Sequence, residues 1–387
     1  MGKLVVLTLG EGDFQRGFPV TLQIGEDGDP PSTQDTGNLP SNAALPESYK
    51  SWQSTYHGYI GVNFRLEKPA AQMTNFSIDE VKEKAEDLSK TLNQWLKSQE
   101  FSHIREELLA KLKSDDEVRL IIQTSDIQLR QLPWHLWDLL ERYPKAEIAL
   151  CATKYDRVIS IKPSKSHVSI LAILGDSAGI NVEKDREILC SIPHAKTQFL
   201  VKPERREIND QLWDQPCDIL FFAGHSRTEG EKGRIYINDT ESLTIGELKY
   251  GLRKAIAQGL QLAIFNSCDG LGLAQELADL NIPQIIVMRE PVPDKVAQEF
   301  LKYFLGSFAG GKSFYLSVRE ARERLQGLES QFTCASWLPV ICQIPAQEPL
   351  SWHNLHRRNG NLRNIATKSI TLGLVTYLGR GLLNRLR

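Results

Sequence analysis

Residues 217–270 limit what this 387-residue chain can fold into more than any other stretch. They read Cys-Asp-Ile-Leu-Phe-Phe-Ala-Gly-His-Ser, a middle segment, and Gln-Leu-Ala-Ile-Phe-Asn-Ser-Cys-Asp-Gly. Each end carries a short apolar run bounded by Asp, Gly and Ser, the pattern of a strand buried on both faces. Between them, residues 244–258 predict a helix. Ile245, Leu248, Leu252 and Ile256 fall on one helical face, and Thr244 can cap its start with Glu247 three residues on. Strand, helix, strand makes a right-handed crossover, so the two strands run parallel. Their C-terminal ends then share one sheet edge, where open α/β folds place their sites. Just past those ends stand His225 and Cys268.

A thiol attacks as thiolate, and an imidazole nearby can take its proton. Taken singly, a cysteine ending an apolar strand is a small core hydrophobe, and a histidine after a strand is a hydrogen-bonded loop residue. It is the pair, at matching strand ends, that points to nucleophilic catalysis. His225 precedes Cys268 by 43 residues, close to the roughly 50 that separate the two in caspase-type enzymes.

Phe-Ala-Gly-His-Ser followed by Asn-Ser-Cys-Asp-Gly resembles the CHAT family, relatives of caspases and separases. The resemblance runs over about residues 75–345 and includes Leu-Pro-Trp-His-Leu-Trp (132–137) and Ala-Ser-Trp-Leu-Pro-Val (335–340). It implies a caspase-like α/β sandwich, a peptide-bond-cleaving cysteine, and a place in a bacterial signalling or defence-type pathway. His225 and Cys268 take the family's dyad positions. The family commonly has Gly after the histidine, where a backbone N–H helps hold the oxyanion. Here that residue is Ser226, which keeps the N–H and adds a Cβ that narrows the approach.

The flanking segments predict the same α/β class. Strands are expected at 118–122, 146–152, 168–174, 197–201, 284–288 and 337–342. Helices are expected at 78–98, with Ser77 and Glu80 at its start, and at 100–113, 134–141, 183–191 and 205–213. The sheet is therefore mainly parallel and flanked by helices, with a small β-rich lead-in. Residues 3–9 and 18–24 predict a hairpin, and 25–49, rich in Gly, Pro, Ser, Thr, Asn and Asp, a long loop or linker. Domains are expected at 1–60 (lead-in and linker), 61–345 (caspase-like domain) and 346–387 (basic tail). Gly175 and Asp176, past a strand at the site edge, either line the cleft or make a plain turn. Trp134 and Trp137 predict core packing, and His135 between them is given no role.

Gly306 to Ser313 matches the phosphate-binding pattern G-x-x-x-x-G-K-[ST] literally, but residues 296–305 before it have helical spacing. That pattern needs a preceding strand, so the segment reads as helix, turn, helix, and no nucleotide is assigned. Arg319, Arg322 and Arg324 interleave with Glu320 and Glu323, as on a solvated face.

The formal net charge of −2 excludes a general nucleic-acid binder. The cysteines (Cys151, Cys190, Cys217, Cys268, Cys334, Cys342) form no Cys-x-x-Cys pair, which argues against a zinc site or disulfide framework. No leader or membrane-spanning run is read, so the expected location is cytoplasmic. After Glu348 the chain has no acid and seven Arg or Lys residues; removing these from the net of −2 leaves −9 on residues 1–348. Two readings of this tail stand: a basic amphipathic segment lying on an anionic membrane, or a frayed terminus.

The expected function is a caspase-like cysteine endopeptidase acting on protein or peptide substrates, answering to an activating protein partner. Cys268 is the nucleophile, His225 the general acid/base, and the backbone N–H groups of Ser226 and Cys268 the oxyanion donors; no cofactor or metal is implied. The alternative is a catalytically silent interaction module. The residue preferred before the cut stays open.

Overall fold

The computed structural model describes residues 2–60, 77–154, 166–178, 180–229, 232–268 and 270–356. The basic tail beyond residue 356 lies outside them. In chain order the elements are β1 (Lys3–Leu9), β2 (Phe18–Glu26), β3 (Thr33–Leu39), α1 (Ala44–Ile60), α2 (Ile78–Leu96), α3 (Gln99–Lys111), β4 (Val118–Gln123) and α4 (Ile127–Gln131). Next come β5 (Ala146–Cys151), β6 (Val168–Leu174), α5 (Val182–Cys190), β7 (Ala195–Val201), α6 (Arg205–Asp214) and β8 (Ile219–Ala223). The central crossover holds β9 (Ser226–Glu229), β10 (Lys232–Tyr236), β11 (Ser242–Thr244) and α7 (Ile245–Gln258), and leads into β12 (Leu262–Asn266). The chain closes through α8 (Gly270–Asp279), β13 (Gln284–Met288), α9 (Asp294–Ala309), α10 (Phe314–Leu325), β14 (Pro339–Gln343) and α11 (Trp352–His356).

Eleven strands form one sheet in the order β3-β2-β1-β4-β5-β14-β13-β12-β8-β6-β7. Pairing is parallel except at β3/β2, β2/β1 and β14/β13. Two parallel blocks therefore meet back to back at β13 and β14, and the C-terminal ends of one block share an edge with the N-terminal end of β14. Every residue of β5, β8, β12, β13 and β14 is buried, as strands covered on both faces must be. The outermost strand β3 alternates between half-buried and exposed positions up to Leu39, which is buried. A separate three-stranded antiparallel sheet, β11-β10-β9, sits inside the crossover between β8 and α7.

The hairpin, the capped helix at 78–96 and the capped helix at 245–258 form as the residues predict. Both helices carry the full reciprocal capping box, Ser77 with Glu80 and Thr244 with Glu247. Three expectations need correction. The segment read as a loop at 25–49 contains β3 and the start of α1. An edge strand is held by its backbone bonds to one neighbour and needs no apolar alternation, so its polar sequence hid it. The helix expected at 134–141 is two 3-10 turns, 134–136 and 138–142. Trp134 and Trp137, three apart, both turn into the core there, which suits a three-residue repeat. Finally, Arg322 does not face solvent: it is buried and bonds the equally buried Glu147 at 2.7 Å. The helix-turn-helix reading of 296–325 holds. Lys312 pairs with Glu320 at 2.5 Å, and Ser313 caps α10. Among the described residues no helix is long and apolar enough to cross a membrane.

Candidate active site

The site is built from the neighbouring strands β8 and β12. They pair in parallel with Ala223 opposite Asn266. His225 and Cys268 each lie two residues beyond that pair, so the register carries imidazole and thiol to the same level of one edge. Gly224 joins β8 to His225 with φ +155°. A Cβ there would sit 3.1 Å from both the Asp176 carbonyl oxygen and the Phe222 ring, so only glycine lets the strand end pass so close to the neighbouring loop.

Three hydrogen bonds fix His225. Its N–H donates to the Asp176 carbonyl (3.2 Å), and its own carbonyl accepts from the Tyr236 N–H (3.0 Å). Its ring Nε2 lies 3.0 Å from the Ala178 carbonyl oxygen. A carbonyl can only accept, so Nε2 carries the proton and Nδ1 is left as the basic nitrogen. Nδ1 is buried and has no hydrogen-bond partner. The loop that supplies Ala178 is itself held at both ends. Asp176 N–H donates to the Tyr236 carbonyl at 2.9 Å. Asn181 N–H donates to Asp294 Oδ2 at 3.2 Å, and Gln298 Nε2 donates to the Asn181 carbonyl at 3.0 Å.

Ser226 opens β9, and its hydroxyl donates to the carbonyl of Cys268, tying the histidine segment to the cysteine segment. Asn266, at the end of β12, donates through Nδ2 to Asp185 Oδ1 (3.0 Å) on α5, with both side chains buried. Cys268 is 0% and His225 3% exposed, so the resting site is closed.

On its other side β12 pairs with β13, Phe265 opposite Val287. Glu290 lies two residues past the end of β13, at the same sheet edge as Cys268, two residues past the end of β12. The Glu290 carboxylate is buried and accepts from Tyr49, from Gln53 (2.8 Å) and, through Oε2, from His57 Nε2 (2.8 Å). These donors sit at successive four-residue steps of α1, so one helical stripe anchors α1 beside the cysteine. The Tyr56 hydroxyl donates to the Pro291 carbonyl at 2.9 Å. Burial holds that hydroxyl well above its ordinary pKa, and the nearby Glu290 carboxylate adds to the effect.

Three other buried thiols, those of Cys151, Cys334 and Cys342, are chemically quiet. Burial pushes Cys151 and Cys334 up to about 12 and raises Cys342 as well, which leaves almost no thiolate at neutral pH. Among the six cysteines only Cys190 is exposed.

The model of one family, described as the CHAT domain, matches residues 83–353, which is well over half of the chain and includes every strand of the site. The chain belongs to the CHAT domain family. Among solved structures, the CHAT chain is similar to the crystal structure of the Arg-specific cysteine proteinase gingipain R. The two are 9% identical, with 79% of this chain and 76% of that chain covered, at a TM-score of 0.43. No curated protein matches the CHAT chain.

The residues singled out in the sequence, His225, Ser226 and Cys268, come together at one edge of the CHAT sheet. Gly175 and Asp176 take part, through the backbone of Asp176. The Ala178 carbonyl that sets the imidazole tautomer has no side-chain signature, and sequence reasoning passes over it. Asp294 and Gln298, which pin its loop, lie more than a hundred residues downstream and are joined to it only by the fold.

Proposed function

We propose that this CHAT domain is a cysteine endopeptidase that works through His225 and Cys268. The observation that carries the reading is the Nε2 bond to the Ala178 carbonyl, because it leaves Nδ1 free to act as the base. Nδ1 takes the proton of the Cys268 thiol, and the thiolate attacks the peptide carbonyl carbon. The C=O π pair moves onto oxygen, which the backbone N–H groups of Ser226 and Cys268 stabilise. The imidazolium returns its proton to the leaving amine as the C–N bond breaks, giving a thioester. A water deprotonated by Nδ1 then attacks the thioester, and the acid product and thiol are released.

A second reading, a silent interaction module, draws on the closed state of the site. In either case a substrate or an activating protein has to open the edge before the thiol can be reached. The test is digestion of a diverse peptide library, read by mass spectrometry. The native protein is expected to cut at a defined sequence and Cys268→Ala not at all. His225→Ala is expected to lose about 10²–10⁴-fold in kcat/KM, the worth of a positioned acid/base. Cuts that persist in Cys268→Ala contradict the proposal.

A further inference from the structure

On the β13 side of Cys268 lies a cleft of about 350 Å³, within the roughly 300–1,000 Å³ usual for ligand pockets. Tyr56 and Tyr59 of α1 form one wall, Pro293 at the start of α9 the second, and Phe332 and Thr333 before β14 the third. The walls are tied together in advance. Tyr56 donates its hydroxyl to the Pro291 carbonyl (2.9 Å), and Tyr59 donates to the Gln331 carbonyl (3.0 Å). Each tyrosine thus joins α1 to one of the other two walls.

The topology puts this cleft where a substrate residue would be. β13 runs parallel to β12 and β14 antiparallel to β13, so the end of β13, the start of β14 and Cys268 share one edge. Pro293 lies five residues past Met288, where β13 ends at that edge. Cys268 therefore stands between His225, on the β8 side, and the cleft, on the β13 side. His225 must protonate the leaving amine, so the amine side of the scissile bond lies toward β8. The acyl side then runs toward β13 and the cleft.

The lining defines the chemistry. Tyr56, Tyr59, Pro293 and Phe332 present aromatic and apolar surface. Two charges of opposite sign, Asp294 and Lys295, stand at the cleft. The Asp294 carboxylate already accepts from Asn181 N–H (3.2 Å) and Gln298 Nε2 (2.8 Å), and so serves the loop behind His225. The buried Thr333 hydroxyl has no hydrogen-bond partner, which leaves an unspent polar group in the lining. We infer that this cleft receives the side chain of a residue on the acyl side of the scissile bond, and that it selects a large uncharged side chain, aromatic or aliphatic, over a charged one. The inference rests on the peptidase reading for its orientation.

The test compares peptides that differ only at the acyl-side positions, carrying Leu, Phe, Asp or Lys. At one of those positions Leu and Phe are expected to exceed Asp and Lys by at least about tenfold in kcat/KM, since a charge entering an apolar cleft is stripped of water. Lys295→Glu, on an exposed side chain, is expected to raise acceptance of Lys about tenfold by leaving two acids at the rim. Phe332→Ala is expected to weaken the Leu and Phe preference. Cleavage with the same acyl-side profile in the native protein and both variants overturns the cleft and leaves the peptidase reading standing. A second arm measures binding of the same four peptides to Cys268→Ala by calorimetry. Tighter binding of the Leu and Phe peptides, reduced by Phe332→Ala, supports the cleft even if the native protein cuts nothing. Equal binding of all four overturns the cleft.

Discussion

The tautomer of His225 is the smallest feature on which the proposed chemistry depends, and a backbone atom sets it. With Nε2–H spent on the Ala178 carbonyl, only Nδ1 can exchange a proton with the thiol. The two side chains proposed to react were legible because each ends an apolar run. Ala178 was not, because a main-chain carbonyl is present at every residue and only the fold chooses which one is used. Another histidine shows the opposite fate. Burial first, then Arg322 and Arg289, hold the His135 imidazole well below its ordinary value of 6.5, and its Nε2 is buried without a partner. The folded chain thus keeps His135 neutral, while the unfolded chain protonates it near 6.5. Below that pH the unfolded state binds the extra proton, so the stability His135 contributes is present above pH 6.5 and falls as the pH drops through it. His135→Leu is expected to flatten the dependence of the urea midpoint on pH between about 5 and 7, while an unchanged slope would assign the effect elsewhere.

At the scale of elements, capping and charge gave unequal guidance. The box of Thr244 and Glu247 starts α7, the helix that carries the chain from the His225 segment to the Cys268 strand, and was readable from four residues. Thr244→Ala is expected to destabilise the protein by about 1 kcal/mol in a denaturant titration. The alternating charges of α10 misled because periodicity cannot say which charge finds a buried partner 175 residues away. Arg322 meets Glu147 on β5 inside the core, so Arg322→Ala strands a buried carboxylate and is expected to cost about 3–5 kcal/mol. An effect under 1 kcal/mol would mean that the pair is solvated after all. The edge strand β3 escaped notice for a related reason: its sequence is polar, and its ladder to the backbone of β2 needs no apolar alternation.

Across the whole molecule, the alternation of strand and helix specified the parallel block that carries the site, because its inner strands β6, β8, β12 and β13 are apolar and almost wholly buried. It did not specify that β1 to β3 extend the same sheet, since a hairpin with one polar partner strand packs equally well as a separate layer. Nor could it show that α1 would return to the site edge and fasten itself to Glu290 and Pro291. The proposed nucleophile is fully buried, so on the peptidase reading access as well as reactivity governs turnover. The most direct test treats the native protein with peptidyl acyloxymethyl ketones carrying Leu or Phe, followed by peptide mapping of all six cysteines. The account predicts an adduct on Cys268 that is lost in His225→Ala, with Cys151, Cys334 and Cys342 unmodified. Labelling confined to the exposed Cys190, or labelling of Cys268 that does not depend on His225, would contradict it.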